Sequence, residues 1–141
     1  MQIKINIPLK SAIISGGFVV SVCQNGKTSW NIGQIFSYAQ KRGVYIHHSG
    51  GEILYVGKAT DGKIGVFGER LRREFHHTAS NSSALFKLLA SQTNEIRSYL
   101  LDLDDLDMMV DPGSMSLAPI RNALIMEQVL IGLYNPVGNS I

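Results

Sequence analysis

Cysteine is almost absent: Cys23 is the only one in 141 residues. That excludes an internal disulfide framework and a cysteine-rich zinc site. Cys23 has no motif partner and reads as a packed thiol. Charge is also sparse. Asp, Glu, Lys and Arg make up 17% of the chain, against roughly a quarter in ordinary proteins, which excludes a highly charged disordered or coiled-coil chain. No apolar run approaches the ~18 residues of a membrane span. Lys4 and Lys10 precede an apolar stretch at residues 12–23, loosely like a signal peptide. No small-residue cleavage site follows it, so a cytoplasmic protein with no membrane partner is expected.

What is present is a hydrophobic fraction of 45% in 15.5 kDa. One domain, with a small annex, can bury a core at that size without staples. The 14 glycines exceed the usual ~7%, and point to tight turns or close backbone approaches. The net charge of +2 says little, but its distribution says more. Residues 58–87 hold Lys58, Lys63, Arg70, Arg72, Arg73 and Lys87 against Asp61, Glu69 and Glu74. Residues 102–111 hold five aspartates and no base. One surface should attract polyanions and another repel them.

Periodicity gives the elements. Ile3, Ile5, Ile7 and Leu9 alternate with polar residues, Gly16-Gly17 interrupts, and Phe18 to Cys23 is apolar again. This predicts an N-terminal β-hairpin over residues 1–26. A short helix is expected from Ser29 to Arg42, completing an annex over residues 1–42. Gly43 to Ile46 and Ile53 to Val56 form a hairpin around Ser49-Gly50-Gly51. Helices follow at Glu69–His77 and Ser82–Ser91, then a strand at Asn94–Leu103. The acidic run and Asp111-Pro112-Gly113 read as a solvated loop. Ser116 caps a long helix to about Leu133. Residues 43–141 thus form an α/β domain, a small sheet flanked by helices in the order β-β-α-α-β-α.

Three features stand out. Glu127 has Ala123, Leu124, Leu130 and Ile131 one turn away on either side, and Ile120 two turns away, which places it in the apolar stripe of its helix. A carboxylate there needs a cation, whether an arginine in a buried ion pair or a metal. On the helix 69–77, Leu71 and Phe75 form the buried edge, while Arg70, Arg73, Glu74 and His77 share another face. Two guanidiniums there suit bidentate contact with phosphate, or simply a solvated basic face. In the hairpin, a two-residue Gly50-Gly51 turn would pair Tyr45 with Val56 and put Tyr45 and Tyr55 on opposite faces. A three-residue loop would pair the tyrosines directly. Adjacent histidines at 47 and 48 face opposite ways on a strand, leaving His47 with Tyr45, so no zinc site is expected. The acidic run lacks the glycine and final glutamate of a calcium loop.

Gly43-Val44-Tyr45, nine residues, then Tyr55-Val56-Gly57 resembles the two-part motif of the GIY-YIG nuclease family. Lys58-Ala59 continues it as in the nucleotide-excision-repair incision subunit. Arg70-Leu71 with Phe75 is similar to the family's arginine-bearing helix, and Glu127 with Pro136 and Asn139 to its glutamate-to-asparagine tail. The resemblance covers residues 43–139. It implies a metal-dependent DNA endonuclease that hydrolyses phosphodiesters with one divalent cation, Mg²⁺ or Mn²⁺. Glu127 would be the protein ligand to the metal. Tyr45 would orient or deprotonate water, with Lys58 lowering its pKa. Tyr55 would position water or phosphate, Arg70 would hold the scissile phosphate, and Asn139 would support the tail. Lys63, Arg72 and Arg73 would join in binding DNA. Glu74 stands where many members carry His or Tyr, and His77 or His76 would then have to supply that group. A catalytically weak nucleic-acid-binding module on the same fold is the alternative. The loop with Gly62, Gly65 and Gly68 matches no phosphate-binding fingerprint and reads as an adaptable DNA-edge loop. A single active site cuts one strand, so double-strand cleavage would require a homodimer or two binding events.

Overall fold

The computed structural model describes residues 2–24, 27–63, 65–75, 84–113, 115 and 117–140. It is a mixed α/β structure built on one antiparallel sheet of five strands. In chain order these are β2 (Phe18–Gln24), β3 (Lys27–Trp30), β4 (Gly43–Ser49), β5 (Glu52–Ala59) and β6 (Ile96–Asp102). They lie side by side as β3-β2-β6-β4-β5. A two-residue strand β1 (Lys4–Ile5) pairs separately with β7 (Val110–Asp111). The helices are α1 (Lys10–Ser15), α2 (Phe67–Phe75), α3 (Ala84–Ala90), α4 (Leu103–Met109) and α5 (Pro119–Tyr134). Among the described residues no helix is long and apolar enough to cross a membrane.

Strand alternation divides the core into two layers. Val44 and Ile46 of β4 point into one, with Leu106 of α4 and Ala123, Met126 and Leu130 of α5. Tyr45 points into the other, with Phe67, Leu71 and Phe75 of α2 and Leu89 of α3. Interior strand β4 is buried at every residue, as expected of a strand covered on both sides.

The N-terminal segment departs from expectation in its details. The hairpin is β2 with β3, not Ile3–Leu9 with Phe18–Cys23. Pro8 has no N–H to give a ladder, and β1 ends before it. Residues 10–15 turn into α1 instead. Strand β2 pairs with β6, so this part of the 1–42 segment extends the main sheet. The helix expected from Ser29 is a 3-10 segment, Ile32–Tyr38, broken at Phe36, where φ is 40°.

The acidic loop is also corrected. Residues 103–109 form α4, because Asp102 caps it. The Asp105 backbone N–H donates to Asp102 Oδ1 at 2.8 Å, and the Asp102 N–H donates to Asp105 Oδ2 at 3.0 Å. This reciprocal box satisfies two donors that a helix start leaves open, and puts acidic groups at the positive end of the dipole. Ser116, the expected cap of the last helix, lies outside the described residues. Helix α5 itself starts with Pro119 at its first position, where a missing N–H costs nothing. It ends where Asn135 turns left-handed at φ 42°.

Candidate active site on the β4–β5 hairpin

The hairpin decides which side chains meet. Ser49 pairs with Glu52, so the turn is the two-residue Gly50-Gly51. Both glycines have positive φ, 59° and 82°, as this turn requires. By itself that turn would have separated the two tyrosines. A register shift between His47 and His48 corrects it: His48 pairs with Ile53, but His47 pairs with Tyr55 and Tyr45 with Gly57. Leu54 is the extra residue of a β-bulge, and packs in the same layer as Tyr45. Both tyrosines therefore share one face, diagonally rather than directly opposed, with ring centroids 6.1 Å apart.

Under them runs α2. Its buried edge is Phe67, Leu71 and Phe75, spaced by four, which docks the helix on the Tyr45 face. Arg70 and Glu74 flank that edge and are half-buried, whereas Arg73 is exposed. The expected common face of Arg70, Arg73 and Glu74 is thus divided. His77 lies outside the described residues.

Glu74 stands at the centre. The Tyr45 hydroxyl donates to its Oε2. His47 Nε2 lies 2.7 Å from its Oε1, and His47 Nδ1 lies 2.7 Å from Ser98 Oγ on β6. A carboxylate only accepts, so Nε2 carries a proton, and in the neutral ring Nδ1 accepts from the Ser98 hydroxyl. Ser98, His47, Glu74 and Tyr45 form one continuous hydrogen-bonded chain. His47 also packs against Phe75 and stacks on Tyr55.

Tyr45 is 1% exposed. Burial, followed by the charge of Glu74, raises its phenol well above the ordinary tyrosine value, and Arg70 only partly opposes this. The expected lowering by Lys58 is not what the arrangement provides. Lys58 pairs in register with Val44, so alternation turns it to the opposite face, and its ammonium lies 3.8 Å from Asp61.

Tyr55 sits nearer solvent and feels the charges of two helices, α2 and α5. Burial pushes its pKa up to about 12, the Glu74 and Glu127 carboxylates add to the rise, and Arg70 and a hydrogen bond with Tyr45 oppose it. Glu127 lies at the rim of the α5 stripe, not in its middle. The buried residues of α5 are Asn122, Ala123, Met126 and Leu130, while Ile120 and Leu124 are 48% and 43% exposed. The stripe is rotated by about one residue, which leaves the Glu127 carboxylate half-buried beside the hairpin. Gln128 Nε2 donates to its Oε1 at 3.2 Å.

At the site itself, one buried donor is unmatched. Arg70 Nε finds no hydrogen-bond partner among the described residues. Such a group seeks an acceptor, and beside two phenols in a basic segment an anionic oxygen would suit it. Asn139 lies in the 3-10 turn Val137–Asn139 against β5. Its Oδ1 accepts from the Val56 N–H at 2.9 Å and its Nδ2 donates to the Val56 carbonyl at 2.8 Å. The side-chain amide acts as one residue of a further strand and closes the outer edge of the hairpin.

Of the expected DNA contacts, Lys63 is exposed and Arg72 is bonded to Glu69 at 2.9 Å. The glycine-rich loop is ordered by Arg42, whose guanidinium donates to the carbonyls of Thr60, Gly62 and Gly65. Strand parity put His47 on the Tyr45 face, though with no role assigned to it; nothing local announced Ser98, which arrives through the pairing of β6 with β4. Among the described residues no three His, Cys, Asp or Glu side chains gather as a ready metal cluster. Compared with protein-family models, curated proteins and solved structures, the chain matches none.

Proposed function

We propose that this chain is a DNA endonuclease of the GIY-YIG type, hydrolysing phosphodiester bonds with a single divalent cation. The observation that carries the reading is the meeting of groups from separate stretches of chain: the Tyr45 and Tyr55 rings 6.1 Å apart, Glu74 of the Arg70 helix on the Tyr45 hydroxyl, and Glu127, whose charge is felt at Tyr55. They lie on the hairpin, the first helix after it and the last helix, as in the motif. The amide of Asn139 on Val56 adds the tail to the same hairpin.

The donor set fits one hard cation. Glu74 is saturated by Tyr45 and His47, whereas the Glu127 carboxylate is half-exposed and bonded by Gln128 through one oxygen. Glu127 would hold Mg²⁺ or Mn²⁺, with waters and substrate oxygens filling the other positions. When bound, the cation supplies charge stabilisation to the phosphate and the leaving oxygen. The protein's own part is positioning. Arg70 would direct its unmatched Nε–H to a phosphate oxygen, a charge-assisted bond that strengthens as negative charge builds there. Tyr55, only half-buried, would align water or phosphate, and the buried Tyr45 behind it would orient Tyr55 through their hydrogen bond. Lys63 and Arg73 would meet the flanking backbone.

The test is supercoiled plasmid with Mg²⁺ or Mn²⁺, comparing wild type with Arg70→Ala, Glu127→Ala and Tyr45→Phe. Wild type should nick, and each variant should bind DNA but lose nicking. Wild type that binds DNA in a salt-dependent way and does not nick with either metal would make the chain a binding module instead.

A further inference from the structure

We propose that a gap in the main sheet, on the side of β6 away from β4, takes an extended peptide carrying a basic residue as an added strand. This surface is separate from the candidate active site, and the proposal does not depend on the nuclease reading. Strand β6 pairs with β4 from Arg97 to Asp102. Its other neighbour, β2, covers less of it: that ladder ends at Phe18, opposite Ser98. Tyr99, Leu100, Leu101 and Asp102 therefore have a strand on one side only. The cause lies in two glycines. Gly17, with a positive φ of 94°, is where the chain from α1 enters the sheet. Gly16, next in register to Leu100, has its own groups engaged elsewhere. Its N–H donates to the Ile13 carbonyl at 3.1 Å, and its carbonyl accepts from His48 Nε2 at 2.8 Å. Asp102 gives its N–H to Asp105 Oδ2 rather than to β4. Amides alternate in direction along a strand, so Leu100, two residues earlier, also directs its N–H and carbonyl away from β4, into the gap. Among the described residues no strand pairs with them there. Such a free edge is a template for another strand.

The gap is a cavity of about 600 Å³, with Gly17 and Phe18 at one end and Asp105 of α4 at the other. Four strand residues span about 13 Å, and over that length the volume has a mean cross-section of about 45 Å², close to the ~4.8 Å by ~10 Å that one strand with its side chains occupies. The walls are apolar on both faces of the sheet: Ile7, Tyr99 and Met109 on one, Phe18 and Tyr38 on the other. An inserted strand would bury alternate side chains against each. Charge selects the occupant. Asp105 lines the cavity, Asp104, Asp107 and Asp111 are exposed beside it, and residues 102–111 contain no base. Lys41 offsets one of these charges, at Asp102. A segment that brings its own Lys or Arg is attracted there, and an acidic one is repelled. This is strand addition, in which main-chain hydrogen bonds supply affinity and side-chain contacts supply selection.

The probe is the acetylated peptide amide Lys-Val-Ile-Val-Lys-Ser, titrated into the full chain at low salt and followed by amide NMR. Binding should shift Tyr99, Leu100 and Leu101 and slow hydrogen exchange at the Leu100 amide. Two N-methylated peptides test the mode of binding, one methylated on the first, third and fifth amides and the other on the second and fourth. Only alternate amides of an added strand face β6, so one peptide should bind about tenfold or more weakly and the other nearly as well as the parent. Glutamate in place of both lysines should weaken binding several-fold, with the difference shrinking at high salt. Met108→Lys, at an 83% exposed position on the cavity wall, should weaken the parent peptide without disturbing the fold. Equal binding by the two methylated peptides overturns the proposal, as does a Leu100 amide unmoved by millimolar parent peptide. Tighter binding of the glutamate peptide overturns the choice of a basic partner. Slowed Leu100 exchange with rising protein concentration alone, at the mass of a dimer, gives the gap to a second copy and overturns the peptide.

Discussion

Tyr45 and Gly57 face each other across β4 and β5, and the Tyr45 phenol occupies the space that a side chain at residue 57 would need. A Cβ on Gly57 would lie 2.5 Å from both Cζ and Oη of Tyr45 and 2.8 Å from Cε2 of Tyr55. Tyr45 is fully packed and has nowhere to retreat. Gly57→Ala should therefore cost about 1–3 kcal/mol in urea unfolding, the usual price of overpacking a core. It should also move the phenol away from Glu74, so nicking should fall by more than the loss of folded protein explains. Unchanged stability would mean that the hairpin opens easily at this point.

Asn139 is the second structural support. Its amide occupies both the N–H and the carbonyl of Val56 on an edge strand. Asn139→Ala leaves both without their protein partner, a loss of about 1–3 kcal/mol where water does not replace it. Asn139→Asp removes the N–H donor and sets an anion against the Val56 carbonyl, and should be at least as damaging. Hydrogen exchange at the Val56 amide measures this directly: it should speed up most in Asn139→Ala, while amides of interior strand β4 change less.

The hairpin shows what the sequence carried and what it withheld. Gly50-Gly51 announced the turn, but neither simple register anticipated the pairing of Tyr45 with Gly57. Leu54 is an ordinary apolar residue with no local mark of a bulge. Its extra place is revealed only by Leu54 and Tyr55 packing into the same layer. Glu127 was misplaced for a related reason. Leu124 and Ile120 look like core residues on a helical wheel, yet α5 lies over an edge strand and leaves them exposed. The capping box of α4 was legible in principle, since Asp102 and Asp105 stand three apart, but a run of five aspartates hides which two are caps. Ser98 comes to the site by pairing across 51 residues of chain, a relation no local pattern encodes.

That cap should be measurable. Asp102→Ala removes the acceptor for the Asp105 N–H and the partner of Lys41, which stands 3.2 Å away. Loss of an N-cap costs about 1 kcal/mol. The Lys41 pair adds little, because Lys41 is 45% exposed and solvent screens it. Asp102→Asn keeps an oxygen for the cap, so its thermal midpoint should lie between those of wild type and the alanine variant. Equal losses in both would assign the stabilisation to charge rather than to the cap.

His48 should make stability depend on pH. Burial lowers its pKa from the ordinary 6.5, the Gly16 carbonyl that its Nε2 contacts at 2.8 Å opposes this, and Arg97 and His47 add to the lowering. The folded protein therefore binds a proton at His48 less readily than the unfolded chain does. Its contribution is constant above about pH 6.5 and is lost as pH falls below that value toward the folded pKa, because the unfolded state gains protons first. His48→Gln keeps a nitrogen donor at a comparable reach and does not titrate. Between about pH 7.5 and 5.5, the urea midpoint of wild type should fall further than that of His48→Gln. Every other titrating group is common to both proteins, so parallel curves would remove His48 as the cause.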